Sequence, residues 1–194
     1  TSNVSHGYFD TPQVSCETLE VGLRRIEGDN RTVNVVGRVE IVKAYLFDNG
    51  SFAMRKHNGS GIVEIVLEMD EDEEEEGMAL ISSSVDVAFD GIVIVVPATL
   101  NGFSFFVGVE GARLTIKDCS FNVSTQSESG IDFGFLALSN GDLEIDGLKV
   151  KEMHLGSVNP LVIASNSAVE MNGVDVESVT VSGETSLIVV DGCS

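Results

Sequence analysis

The chain has no tryptophan and only two tyrosines among 194 residues. Tyr8 and Tyr45 are therefore the whole stock of the amphipathic rings that sugar-binding grooves favour. Basic residues are equally scarce. Eleven lysines and arginines face 31 aspartates and glutamates, for a formal net charge of −20 and a pI near 4.2. That balance excludes a nucleic-acid binder, which must neutralise phosphates with cations, and it opposes docking to anionic membranes. No stretch reaches the roughly 18 apolar residues a helical membrane span needs. The densest, 92–96, is bounded by Asp90 and Pro97. Three cysteines leave at least one unpaired in any intramolecular scheme. No HExxH, GxSxG, P-loop or CxxC occurs, and the histidines are only His6, His57 and His154. Helical spacing of apolar residues is rare, and 20 glycines interrupt the chain.

What is present is a short motif that returns through the second half. Apolar residues at i and i+2 are followed by a two-residue turn, then by apolar residues at i+5 and i+7. Val87 and Phe89 lead through Asp90-Gly91 to Ile92 and Ile94. Leu114 and Ile116 lead through Lys117-Asp118 to Cys119 and Phe121. Leu143 and Ile145 lead through Asp146-Gly147 to Leu148 and Val150, and Val169 and Met171 through Asn172-Gly173 to Val174 and Val176. Ile188 and Val190 lead through Asp191-Gly192 to Cys193. Alternation of period two signals strands, and Asp-Gly or Asn-Gly tolerates left-handed backbone. A hairpin is the simplest reading of such a dipeptide. The strand pieces are too short for a stable hairpin, and a further strand separates the copies. A bend between successive faces of one coil fits better. The near-continuous apolar runs at 78–82, 103–109, 133–138 and 161–164 supply the third strand of each coil. Ser82-Ser83-Ser84, Ser139-Asn140-Gly141 and Ser165-Asn166-Ser167 follow those runs. The uneven spacing of the copies implies one fixed turn and one loop of variable length.

These residues resemble the right-handed parallel β-helix of the pectin-lyase-like superfold, in which an Asn or Asp commonly occupies the tight turn. Asp90, Asp146, Asn172 and Asp191 match that position as a turn ladder, and Lys117 departs from it. The expected fold is all-β, a right-handed parallel β-helix of about six coils, each rising about 4.8 Å. Residues 1–31 read as an N-terminal arm or cap, and 32–194 as the β-helix with an acidic loop at 70–76. In the first third, Asp48-Asn49-Gly50 matches the tight turn, while Val33, Val35, Val39 and Ile41 suggest an earlier coil in a distorted register.

The acidic loop carries seven adjacent carboxylates. It reads as a solvated excursion; its functional alternatives are a docking tail for a basic partner or weak cation attraction, with Asp70, Asp72 and Glu73 as candidate ligands, without the glycine or spaced ligands of a calcium loop. Five of the eleven asparagines, Asn3, Asn30, Asn49, Asn58 and Asn122, lie in glycosylation sequons, against about two expected by chance, which points to a secreted chain. Asn122 follows an inward Phe121 and should face outward. Cys119 and Cys193 occupy equivalent repeat positions, about 14 Å apart over three coils, too far for a disulfide. Cys16 and Cys193 are candidates for an intermolecular disulfide between stacked molecules. Enzymes of the resembled superfold use clustered Asp with Arg, Lys or His on one strand face. Paired carboxylates such as Asp86 and Asp90 are present, but the outward strand positions are dominated by small and neutral residues.

The final coil shows no polar or helical cap. The reading that follows is a secreted, non-catalytic β-helix glycoprotein of the extracellular space or cell surface, structural or adhesive in role. It would associate with itself head to tail into a filament or surface layer, with other surface or matrix proteins as further partners and no cofactor. The alternative is a carbohydrate-active enzyme or carbohydrate-binding module, which requires a groove of aromatic and charged side chains along one face.

Overall fold

The computed structural model describes residues 6–9, 30–41, 45–47, 50–67, 79–96, 103–109, 111–123, 133–151, 153–155, 162–181 and 186–194. The chain is an all-β parallel β-solenoid, of which about three turns are described nearly completely. Three walls run along it. Wall A stacks β1 (His6–Phe9), β2 (Asn30–Val36), β5 (Ser51–Lys56), β8 (Val87–Asp90), β11 (Arg113–Lys117), β14 (Asp142–Asp146) and β18 (Ala168–Asn172), in that order. Wall B stacks β3 (Arg38–Ile41), β6 (Glu64–Leu67), β9 (Val93–Val96), β12 (Ser120–Val123), β15 (Lys149–Lys151) and β19 (Asp175–Glu177). Wall C stacks β4 (Tyr45–Phe47), β7 (Ala79–Ser83), β10 (Phe103–Gly108), β13 (Phe133–Ser139), β17 (Val162–Ser165) and β21 (Ile188–Asp191). A small parallel pair, β16 (His154–Leu155) with β20 (Thr180–Val181), lies beside them. Among the described residues β1, antiparallel to β2, is the one departure from parallel pairing.

The Asp/Asn-Gly dipeptides join wall A to wall B and do not close hairpins. Gly91, Gly147 and Gly173 have φ of 70°, 82° and 63°, and Asp118 takes the same role at 49°. Asp is among the few side-chain-bearing residues that tolerate this region. The bend turns each amide toward the neighbouring coil. Gly91 N–H donates to Lys117 C=O at 2.9 Å, Asp118 N–H to Asp146 C=O at 2.8 Å, and Gly147 N–H to Asn172 C=O at 3.0 Å. The expected column Asp90, Lys117, Asp146, Asn172 is thus a register column of wall A.

The corner from wall C to wall A uses the same device. Asn140 and Asn166 have φ of 54° and 48°, with Gly192 at 62°. Asn140 N–H donates to Ser165 C=O at 3.0 Å and Asn166 N–H to Asp191 C=O at 2.8 Å. Ser167 is buried here; its Oγ donates to Ser165 C=O at 2.8 Å and accepts from Gly141 N–H at 3.2 Å. This second corner corrects two expectations. Asp191 pairs with Ser165 on wall C and stands outside the column of Asp90, Asp146 and Asn172. Gly50 (φ 66°) lies between β4 and β5, also at the C–A corner. Both corners need left-handed residues, so the same dipeptide chemistry marks either one. A third correction concerns β2 and β3. Their register is regular, with Val33 beside Met54 and Val39 beside Ile65, across a corner at Gly37 (φ 75°).

Inward positions line one continuous core, including Met54, Phe89, Ile116 and Ile145 from wall A and Ile65, Ile94, Phe121 and Val150 from wall B. Phe105 bridges the walls, its ring centroid 5.3 Å from Phe89 and 6.1 Å from Phe121. Phe105 and Phe106 are both fully buried, so alternation breaks in β10. Phe105→Ala should cost about 3–5 kcal/mol in a denaturant titration, since the cavity lies at the meeting of three walls. A Cβ on Gly147 would stand 2.9 Å from Asp118 Oδ1 at a φ of 82°. Gly147→Val should therefore lose about 2 kcal/mol or more. Asp118→Gly should leave stability unchanged or raise it by up to about 1 kcal/mol.

Candidate functional site

Wall A presents three outward columns. In one, Arg55 is followed coil by coil by Asp90, Lys117, Asp146 and Asn172. In the second, Ala53 is followed by Ala88, Thr115, Glu144 and Glu170. In the third, Arg113 stands next to Asp142, and β8 brings Asp86 to its other side. Arg113 Nη2 and Nε donate to Asp142 Oδ2 at 3.0 and 3.3 Å. That hydrogen bond first, then the charge of Asp142 and that of Asp86, holds the guanidinium more firmly protonated. The small side chains of Ala53 and Ala88 leave a groove of about 360 Å³ between the outer columns. Arg55 and Arg113 line it from outward positions, with Asp86 between the coils, while Arg31 at its rim shares the inward register of Phe52 and has a buried Nε. Each of the two outward arginines has a carboxylate beside it, Asp90 next to Arg55 and Asp142 next to Arg113. Its aromatic lining residue, Phe52, is buried to 2% exposure and offers no ring face.

The second feature is the coil carrying β18, β19 and β21. Three core columns surface there. Val150 leads to Val176 at 41% exposure, Val162 to Ile188 at 37%, and Ala164 to Val190 at 49%. The residues beneath them are fully buried. No strand pairs beyond β18, β19 or β21 among the described residues.

The sequence-derived sites separate cleanly. Asn3, Asn49, Cys16 and the acidic loop with Asp70, Asp72 and Glu73 lie outside the described residues. Asn30 begins β2. Asn58 is exposed in a turn closed by Ser60 N–H to His57 C=O at 3.1 Å. Asn122 points outward from wall B beside buried Phe121. Cys119 occupies a corner column with Ile92 and Leu148 and is buried. Cys193 follows the other corner, so the two do not share the repeat position expected from sequence. Its thiol accepts from Ser167 N–H at 3.4 Å. No group of His, Cys, Asp and Glu among the described residues is arranged to hold a metal ion. Sequence reasoning missed Arg55 and Arg113. Each flanks an inward apolar residue, Met54 and Leu114, so alternation marks both as outward, but only the coil lengths bring them to one groove.

No family model, curated protein or solved structure matches this chain.

Burial pushes the Cys119 thiol up from 9.0 to about 11, against hydrogen bonds that favour the thiolate. In the native state at pH 8 Cys119 should therefore resist alkylation. The folded value is raised, so its contribution is intact below the ordinary value of 9.0 and lost as pH rises toward about 11. Unfolding measured across that range should show an alkaline loss that Cys119→Ala abolishes. Lys151 Nζ lies 2.9 Å from Glu177 Oε2, and its hydrogen bond, then its charge, lower the Glu177 carboxyl from the usual range. The contribution of this pair is present above the ordinary carboxylate range and disappears as pH falls through the lowered value. In an NMR titration, Lys151→Ala should return Glu177 upward to that range.

Proposed function

We propose that this protein is a secreted, glycosylated, non-catalytic structural or adhesive module that associates with itself head to tail. Its winding in this reading is right-handed and continues through six coils. The observation that carries the proposal is the unbroken parallel register of walls B and C, which sets Val176, Ile188 and Val190 in line with buried Val150, Val162 and Ala164 and forms a template that a second copy can continue. Those residues sit in inward register, where every lower coil is covered by the next.

Magnitudes limit how such a contact works. Full burial of an aliphatic side chain contributes about 1.5–3 kcal/mol, and these three are already half covered. The gain is smaller than the roughly 4–15 kcal/mol that association costs. Apolar cover alone does not hold two copies together, so backbone pairing along the strand edges must add to it. The charge distribution favours head-to-tail over tail-to-tail contact. Arg31, Arg38 and Arg55 belong to the first coils, while Glu170, Asp175, Glu177 and Asp191 belong to the last. Continuing the wall B register would place Arg38 of the next copy beside Asp175. It would place Glu40 beside Glu177, whose charge Lys151 already engages. In wall A the approaching edge is β1, so walls B and C, through β3 and β4, offer the parallel continuation. Heterologous contact of this kind need not close, and an open repeat of it gives filaments.

Sedimentation velocity over a concentration series tests this. The chain should assemble with rising concentration, and Ile188→Lys with Val190→Lys should leave it monomeric and folded. A monomer throughout the series overturns the reading. Expression in a secretory host should add endoglycosidase-sensitive mass that Asn58→Gln reduces, and no added mass at any sequon overturns the glycoprotein assignment.

A further inference from the structure

Five Asn-Gly dipeptides occur in the chain. Asn58, Asn140 and Asn172 lie within the described residues, and Asn49 and Asn101 lie outside them. An Asn-Gly pair can react with itself. The amide nitrogen of the glycine attacks the asparagine side-chain carbonyl, and glycine offers no Cβ to hinder the approach. The attack needs the peptide unit between the two residues to rotate until its nitrogen comes within the near-attack distance of about 3–3.5 Å from Cγ. Whatever holds that unit in place blocks the reaction, and the fold holds the three units differently.

At Asn140 both sides of the unit are engaged. Its carbonyl accepts from Gly111 N–H at 3.0 Å, and Gly141 N–H donates to the buried Ser167 Oγ at 3.2 Å. Asn140 Nδ2 donates to Ser139 Oγ at 3.2 Å. A Cβ at Gly141 would collide with the Ala112 carbonyl, so the unit is packed as well as bonded. Asn172 ends β18 in register with Asp146. Its carbonyl accepts from Gly147 N–H at 3.0 Å, and its Nδ2 donates to Glu170 Oε1 at 3.1 Å. Asn58 stands instead in an exposed turn closed by Ser60 N–H to His57 C=O at 3.1 Å. Gly59 has φ 83°, as the third position of a type II turn requires. The central peptide of such a turn lies outside its hydrogen bond. Neither the Asn58 side chain nor Gly59 N–H has a partner among the described residues. A Cβ at Gly59 would meet nothing within 4 Å. This unit rotates without breaking a bond.

We propose that Asn58 is the site among these three at which the folded chain deamidates, its side-chain amide becoming a carboxylate. Gly59 N bonds to Asn58 Cγ, the Cγ–Nδ2 bond breaks, and the proton of Gly59 N–H ends on the departing ammonia. A five-membered succinimide is left, and one water opens it. Cleavage of the new Cγ–N bond gives aspartate. Cleavage of the original peptide C–N bond gives isoaspartate, whose main chain runs through Cβ and Cγ. The sum consumes one water, releases one ammonia and needs no oxidant or reductant. The turn lies between β5 and β6, and coil-to-coil bonding resumes at Glu64, whose N–H donates to Gly37 C=O at 2.9 Å. An extra main-chain methylene is taken up in the turn, whereas at Asn140 or Asn172 it would shift a corner that sets the register. Asn58 also forms a sequon with Ser60, and a glycan is attached through Nδ2, the atom that leaves. A glycan at Asn58 therefore blocks ammonia loss, and ammonia loss removes the glycan acceptor. That exclusion rests on the glycoprotein reading; the reaction of the bare chain does not.

The test follows the full, folded chain from a non-glycosylating host through prolonged incubation in mildly alkaline buffer. Peptide mapping by mass spectrometry reads the exchange of NH for O at each asparagine, and an isoaspartyl methyltransferase reads isoaspartate. The peptide carrying Asn58 should convert at least about tenfold faster than those carrying Asn140 and Asn172, a difference of about 1.4 kcal/mol in barrier. In denaturant the three rates should converge, because the dipeptide is the same and only the fold separates them. Ser167→Ala, which frees Gly141 N–H, should speed conversion at Asn140 in the folded chain. Equal native rates at the three sites, a difference that persists in denaturant, or no conversion at Asn58 overturns the proposal. In the chain from a secretory host, copies glycosylated at Asn58 should keep that linkage through the same incubation, and release of the glycan with its nitrogen overturns the exclusion. Absence of a glycan there counts against the glycoprotein reading alone, since the bare-chain rates still decide this one.

Discussion

Everything in this solenoid depends on the backbone hydrogen bond that each corner residue makes to the coil beside it. A parallel coil must turn its chain without wasting amides, because a buried N–H with no acceptor costs as much as a lost hydrogen bond. Left-handed residues at Gly91, Asp118 and Gly147 solve this at the A–B corner, and Asn140 and Asn166 at the C–A corner. The turn costs least where glycine stands and remains tolerable for Asp and Asn. Because donor and acceptor belong to successive coils, each corner sets the register of the next. The inward columns align as a consequence, and the core of Phe89, Phe105 and Phe121 closes at their meeting point.

Fixed register also organises the surface. The outward columns of wall A alternate in charge, with Arg55, Asp90, Lys117 and Asp146 in one and Asp86, Arg113 and Asp142 in another. Opposite charges side by side on a sheet contribute about 0.2–1 kcal/mol per pair, and a slipped strand would set like charges together.

The connections between walls B and C are where length varies, and they leave wall A undisturbed. The groove of wall A is assembled from β2, β5, β8 and β11, elements far apart along the chain.

Alternation and Asp/Asn-Gly turns determined by themselves that this chain folds as stacked short strands with an apolar interior. Inward residues such as Ile94, Leu143 and Val150, and the outward Asn122, were legible because period-two patterning assigns a face locally. The wall on which a turn stands was not legible. Asp191-Gly192 and Asp90-Gly91 have the same local chemistry and occupy different corners, since both corners demand the left-handed region. Nor could the sequence set Arg113 beside Asp142, or Val176, Ile188 and Val190 in the columns of Val150, Val162 and Ala164. Those relations depend on how many residues each coil spends in its loops. Only the tertiary hydrogen-bond register, which counts coils and not residues, decides which distant positions become neighbours.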